Sequence, residues 1–432
     1  MTKAFHRERL EVALSRIADP KGEGARACLT VYAEEARAAA DAADERRRFN
    51  RELSPLDGRI VAIKDLFDVK GEPTRAGSKI LADSPPATQD APILRRLRAA
   101  GAIIVAKNNM TEFAFSAMGI NPHHGTPGNP ADRARVPGGS SSGAAVAVAD
   151  GMCDIAIGTD TGGSCRIPAS FCGVVGYKPT ARLVPKEGAF PLSFTLDSIG
   201  PLATSVADCA LTHEVMGGHD ACAPSPMGPA GLRLGILSGS LLDDLDATVS
   251  KAFEETRTRL ADAGVRLSEF KTSMLAQMQA ANAKGGFSPA EALFIHRAYF
   301  DTRKNDFDHR VWQRIAAARS MSASEYVHLA RERLRLIAAL DEEMQAVDAL
   351  ILPTTPNVAP KIAEANTSDE AFFMHNARAL RNTAVANFFD LCAISLPMAT
   401  GGLPAGLQLI GRGGEDRKLF AIVRALEAKL RC

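Results

Sequence analysis

The sequence predicts a layered α/β fold built as one large domain over residues 1–432. Three observations carry this expectation. Short apolar strands alternate with helical stretches towards both ends of the chain, the rhythm of helices packed on a sheet. The Pro-Gly and Gly-Gly punctuation leaves no clean linker at which to divide it. A chain of 432 residues that is 46% hydrophobic buries a substantial core without metal or disulfide support.

In chain order, residues 25–50 are rich in Ala, Glu and Arg and read as an N-terminal, solvent-facing helical region. Residues 59–63 form a short apolar strand that delivers Lys64 and Asp65 at its end. A helix over 91–100 is stopped by Gly101, and 102–106 is the next strand. Residues 121–143 hold nine Pro and Gly residues and read as one long loop, a length usually kept for function. A small-residue helix (144–150), a strand (154–157) and a glycine-rich turn (158–164) follow. Strands are expected at 232–237 and 349–352, with helices at 247–263 and 322–347. The less patterned, more polar stretch 271–321 reads as a variable cap over the site. Strands at 393–396 and 406–410 and a helix at 417–430 close the chain.

Composition removes several function classes. The chain carries 51 Lys+Arg against 50 Asp+Glu, so it has no basic surplus for binding nucleic acid directly. No apolar run approaches the roughly 20 residues of a bilayer span, and residues 1–19 are too charged for a secretory leader. The eight cysteines, Cys28, Cys153, Cys165, Cys172, Cys209, Cys222, Cys392 and Cys432, include no CxxC pair. Free thiols in a reducing cytoplasm are the expected state. No cofactor motif is found. A ligand-binding protein with no catalytic role would need a G-x-x-x-x-G-K-[ST] loop or a strand–GxGxxG–helix unit, and neither is present.

Three features remain: Lys64 at a strand end, the cluster from Gly138 to Gly143, and the turn from Gly158 to Ser164. Each alone has an ordinary reading, as a snorkelling lysine or a flexible loop. Together they suggest chemistry. A strand running into Thr161-Gly162-Gly163-Ser164 bends sharply and presents several N–H groups in one direction, donors suited to a developing oxyanion. Ser164 supplies a hydroxyl nucleophile, with no histidine nearby as base. A lysine buried at an apolar strand end loses its preference for the charged form and can take that role. Gly139–Gly143 also matches G-x-S-x-G, but the hydrophobic strand that such an elbow requires is replaced by charged residues and Pro137.

The stretch VPGGSSSGAAVAVADGMCDIAIGTDTGGSCRIPASFCGVVGYKPT (136–180) resembles the core of the amidase signature family. So do PLDGRIVAIKDLFDVKG (55–71), AKNNMTEFAF (106–115), LDSIGPLATSVAD (196–208) and GLPAGLQLIGR (402–412). The resemblance covers most of the chain and is weakest over 271–321. It implies a mixed central β-sheet flanked by helices, and an amidohydrolase acting on small-molecule or urea-like amides without a metal or other cofactor.

Residue by residue, the resemblance implies a Ser–cis-Ser–Lys triad. Lys64 would be the base, Ser140 the bridging serine at a cis peptide (139–140 or 140–141), and Ser164 the nucleophile. The spacing 164 − 140 = 24 is the family's own. The N–H groups of Thr161, Gly162 and Gly163 would hold the oxyanion. Ser141, Asp160 and Arg166 are expected in support, the last two as an ion pair framing the turn. Cys165 is expected to be structural. Met118 and His123 are expected at the substrate pocket, with the His123-His124 pair a poor metal site for want of a third ligand. The same family includes the A subunit of a glutamine-dependent transfer-RNA amidotransferase. For that alternative the chain reads as short and without a basic docking stripe. A homodimer is the default expectation for an enzyme of this kind.

Overall fold

The computed structural model describes residues 5–430, so Cys432 lies outside the described residues. Its spine is an 11-stranded mixed sheet flanked by helices. The strands are β1 (Cys28–Val31), β2 (Ile60–Lys64), β3 (Ile103–Asn108), β4 (Ile155–Asp160), β5 (Val175–Lys178), β6 (Ser198–Ala203), β7 (Arg233–Leu237), β8 (Arg266–Phe270), β9 (Ala349–Pro353), β10 (Cys392–Pro397) and β11 (Gly406–Gly411). Their order across the sheet is β1-β3-β2-β4-β6-β5-β10-β11-β9-β7-β8. β2 runs parallel to both β3 and β4, while β4 pairs antiparallel with β6.

Every residue of β2, β3 and β4 is buried. Ile-Val-Ala-Ile and Ile-Ala-Ile are therefore continuous apolar runs, as strands covered on both faces must be. Because β2 and β4 are parallel neighbours in register (Ile63 beside Ile157), their carboxyl ends emerge together. That end of a parallel pair is where α/β folds place their ligands. Here it brings Lys64 next to the Gly158–Ser164 turn.

The sequence reading needs several corrections. Residues 25–50 are not one helix: β1, with its Cys-Leu-Thr-Val, pairs antiparallel with β3 before the helix Ala33–Arg48 begins. Ahead of it lies a helix, Phe5–Ala18, whose apolar Leu10, Ala13, Leu14 and Ile17 pack inward. The stretch 271–321 is largely helical, with Met274–Ala281, Phe287–His296 and His309–Ala316, and a 3₁₀ turn at Lys304–Asp306 between the last two. β5, β6 and β8 were not anticipated. Nor was the helix Asp369–Phe388, although Ser368 caps it by accepting from the N–H of Ala371 and acidic residues fill its first turn. No helix among the described residues is long and apolar enough to cross a membrane. Of the described cysteines, none is disulfide-bonded and only Cys222 is exposed.

Candidate active site

Lys64 closes β2 and is completely buried. Its Nζ donates to Ser140 Oγ at 2.7 Å and to Thr159 Oγ1 at 2.8 Å. Desolvation pulls its pKa down from 10.5 to about 8, against the opposing pull of the nearby Asp197 and Asp160 carboxylates. At pH 7 this leaves about one amine in ten neutral, against about one in three thousand for an ordinary lysine.

Ser140 is reached through a cis peptide at Gly139–Ser140, the first of the two positions expected. The serine loop is tied down on both sides. The Gly139 N–H donates to the Ala117 carbonyl at 2.7 Å, and the Ser140 carbonyl accepts from the Thr111 N–H at 3.1 Å. A Cβ on Gly139 would lie 2.7 Å from the Gly119 nitrogen, so only glycine allows this approach. From Ser142 the chain enters the helix Ser142–Ala149, whose small residues let it press against β2, β3 and β4. Ser141 ties the serine loop to the turn that carries Ser164. Its N–H donates to the Ser164 carbonyl and its Oγ to the Thr159 carbonyl, both at 3.3 Å.

Ser164 lies on the turn between β4 and the helix Arg166–Cys172. Gly163 has φ +140°, and a Cβ there would meet Thr383 Oγ1 at 2.2 Å. The N–H groups of Thr161, Gly162 and Gly163 find no acceptor among the described residues. The side chains around them are fixed: Thr161 Oγ1 donates to Asp197 Oδ1 at 2.6 Å, and Thr383 Oγ1 to the Gly162 carbonyl at 2.6 Å.

Under the turn, Asp160 and Arg166 form a fully buried, two-pronged ion pair, with Nε and Nη2 at 3.0 and 2.9 Å from the two carboxylate oxygens. The guanidinium also donates to the Thr383 carbonyl and to Asn387 Oδ1, and Asn387 Nδ2 returns bonds to Asp160. The ion pair and these bonds hold the Asp160 carboxylate down at about 2, outweighing the desolvation that opposes it. Cys165, between Ser164 and Arg166, is completely buried, and its thiol is turned onto the Gly200 carbonyl.

Ser164 opens onto a cavity of about 330 Å³. Thr161, Gly162, Phe115 and Leu192 line it, as do Met278 and Arg314 from the 271–321 helices. Neither Met118 nor His123 lines it, correcting both expectations. Met118 packs against Val136, Ile167 and Phe171 in a separate apolar cluster, and His123 is spent on Glu112 Oε1 at 2.7 Å. A larger cavity of about 490 Å³ beside the helix Phe5–Ala18 has none of these site residues in its wall. No group of three or more His, Cys, Asp or Glu side chains suited to a metal ion occurs among the described residues.

Thr159, Asp197, Thr383, Asn387 and Arg314 escaped the sequence reading. Thr159 sat inside the turn already singled out. Thr383 and Asn387 lie more than 200 residues away, on the helix that was missed.

The chain matches the amidase family model over residues 8–420. It is 36% identical, over 99% of its length and 91% of the relative's, to the 2-amino-5-chloromuconic acid deaminase of Comamonas testosteroni. It is also 36% identical, over 98% of its length and 92% of the relative's, to the A subunit of the glutamyl-tRNA(Gln) amidotransferase from Anaeromyxobacter sp. (strain K). Among solved structures, a crystal structure of an amidase superposes with a TM-score of 0.87 at 34% identity, covering 98% of this chain and 96% of that one. With a mixed sheet, strand ends and serine turns arranged in this way, the chain belongs to the amidase family, enzymes acting on carbon–nitrogen bonds.

Proposed function

We propose that the protein is an amidohydrolase that cleaves a small-molecule carboxamide or urea-like amide through an acyl-enzyme on Ser164. One observation carries this reading: the cation that touches Ser140 is a completely buried lysine whose pKa is drawn down to about 8. Lys64 takes a proton from Ser140, which takes one from Ser164. The Ser164 oxygen bonds to the substrate carbonyl carbon, and the N–H groups of Thr161, Gly162 and Gly163 hold the oxyanion. As the C–N bond breaks, Ser140 returns a proton to the leaving nitrogen. Water then splits the ester and restores the Ser164 hydroxyl. Asp160 and Arg166 set the shape of the turn and take no proton. Ser164→Ala should abolish turnover and labelling by a fluorophosphonate. Ser140→Ala and Lys64→Ala should each lower kcat by about 10²–10⁴-fold with the melting temperature kept. Normal turnover by Lys64→Ala at neutral pH would overturn the assignment.

The cavity also suggests a substrate class. Arg314 reaches its wall with no carboxylate at ion-pair distance among the described residues; it donates to the Phe115 carbonyl and lies 4.2 Å over the Phe115 ring. Burial lowers its pKa to about 10, which still leaves it charged at neutral pH. An unpaired guanidinium in a largely apolar pocket favours an amide that also bears a carboxylate. Arg314→Met should raise KM for succinamate about 10- to 100-fold and leave that for butyramide unchanged.

A second reading, the ammonia-releasing member of an amidotransferase complex, draws on the similarity to the Anaeromyxobacter protein. Glutamine also carries a carboxylate for Arg314. Glutaminase activity appearing only with a co-purifying partner would favour it over a stand-alone hydrolase.

A further inference from the structure

A second cavity, about 250 Å³, adjoins the one that holds Ser164, and the two share Ala114 and Leu192 in their walls. It is lined mainly by apolar groups, among them Leu66, Phe190, Pro191 and Ile199. Its polar lining comes from Thr159, Lys186, Glu187, Ser193 and Asp197, and Thr159 Oγ1 is the second acceptor of the Lys64 ammonium. Ser164 opens to the first cavity and not to the second. The proton relay is therefore flanked by two spaces, one at the nucleophile and one at the hydroxyl beside the base.

Acyl transfer separates its substrate into two parts at this point. The carbonyl carbon remains on the Ser164 oxygen, while the nitrogen departs with its bonding pair and the proton carried by Ser140. Ammonia occupies about the volume of one water, roughly 30 Å³. A chamber of about 250 Å³ that shares two wall residues with the site is far larger than that leaving group needs. Building on the amidohydrolase reading, we propose that this second cavity is a subsite for the amine half of an N-substituted amide, and that the enzyme releases an aryl- or alkylamine as well as ammonia. The first cavity, with Arg314, keeps the acyl half.

Ala189 lies at the half-buried rim of the second cavity only, and its backbone bonds do not involve its methyl group. Replacing it with a large side chain closes the chamber while leaving the relay alone. The test uses the full chain with matched pairs of primary amide and anilide of one acid, acetyl and succinyl among them. The wild type should cleave the anilide of any acid whose primary amide it cleaves. Ala189→Trp should lower kcat/KM for the anilide by about tenfold or more and change the primary amide by less than about twofold. Ala189→Leu should show a smaller effect of the same sign, and both variants should keep the wild-type rate of fluorophosphonate labelling at Ser164. A wild type that cleaves primary amides and no anilide overturns the subsite alone. So does a pair of labelled, folded variants that lose both substrates equally or neither. Absence of all amide cleavage together with absence of Ser164 labelling overturns the amidohydrolase reading beneath it.

Discussion

At the scale of single residues, the proposed role of Lys64 predicts the pH behaviour. Its folded-state pKa of about 8 lies below the 10.5 of an unperturbed lysine. If only the neutral amine accepts a proton, kcat/KM should rise with pH through an apparent value near 8 and level off above it. A pH–rate profile that is flat between 6 and 9 would count against a lysine base. Stability follows the opposite face of the same shift. The unfolded chain binds this proton more readily, so burial costs on the order of 3 kcal/mol below pH 8. That cost fades as pH rises from 8 to 10.5 and the unfolded lysine also loses its charge. Lys64→Met should therefore be inactive yet at least as stable as wild type at pH 7, with the gain shrinking towards pH 10 in chemical-denaturation curves.

At the scale of elements, the site belongs to the ends of β2 and β4 and to the helix that covers them. Gly163→Ala tests that packing, because a methyl group there meets Thr383 on the covering helix at 2.2 Å. Shifting the turn should misdirect the proposed oxyanion donors and cost about 10²–10³-fold in kcat, with a cooperative melting transition retained. Much of this level was legible in the residues. β2, β3 and β4 are dense apolar runs bounded by glycine and charge, and the serine turns carry the spacing of the family that the sequence resembles. The covering helix was not legible, because Asp369–Phe388 mixes polar and apolar residues on all sides: it faces the ion pair with Asn387 and the apolar core with Val385 and Phe388. β1 was hidden for a different reason. Four residues between two helical turns leave too short a pattern to register, and only pairing with β3 makes them a strand. Met118 and His123 misled because proximity in sequence to the serine loop says nothing about which way a side chain turns.

At the scale of the whole molecule, the sheet buries nearly every thiol. Six of the seven described cysteines are buried and Cys222 alone is exposed, so a thiol reagent on the native enzyme should modify Cys222 and no other described cysteine, as read by peptide mass spectrometry. Burial also orders events in time. Lys64, Ser140 and Ser164 all fall in the first 164 residues, and a ribosome delivers them early. Yet the Arg166 guanidinium beneath Ser164 is satisfied by Thr383, Asn387 and Gln408, from the closing stretch of the chain. Until those residues arrive, Asp160 alone pairs with the charge under the turn, and the floor of the turn is incomplete. A growing chain thus carries Ser164 more than 200 residues before Thr383 and Asn387 follow it, and on the proposed assignment an amide meets a working site only after they are made.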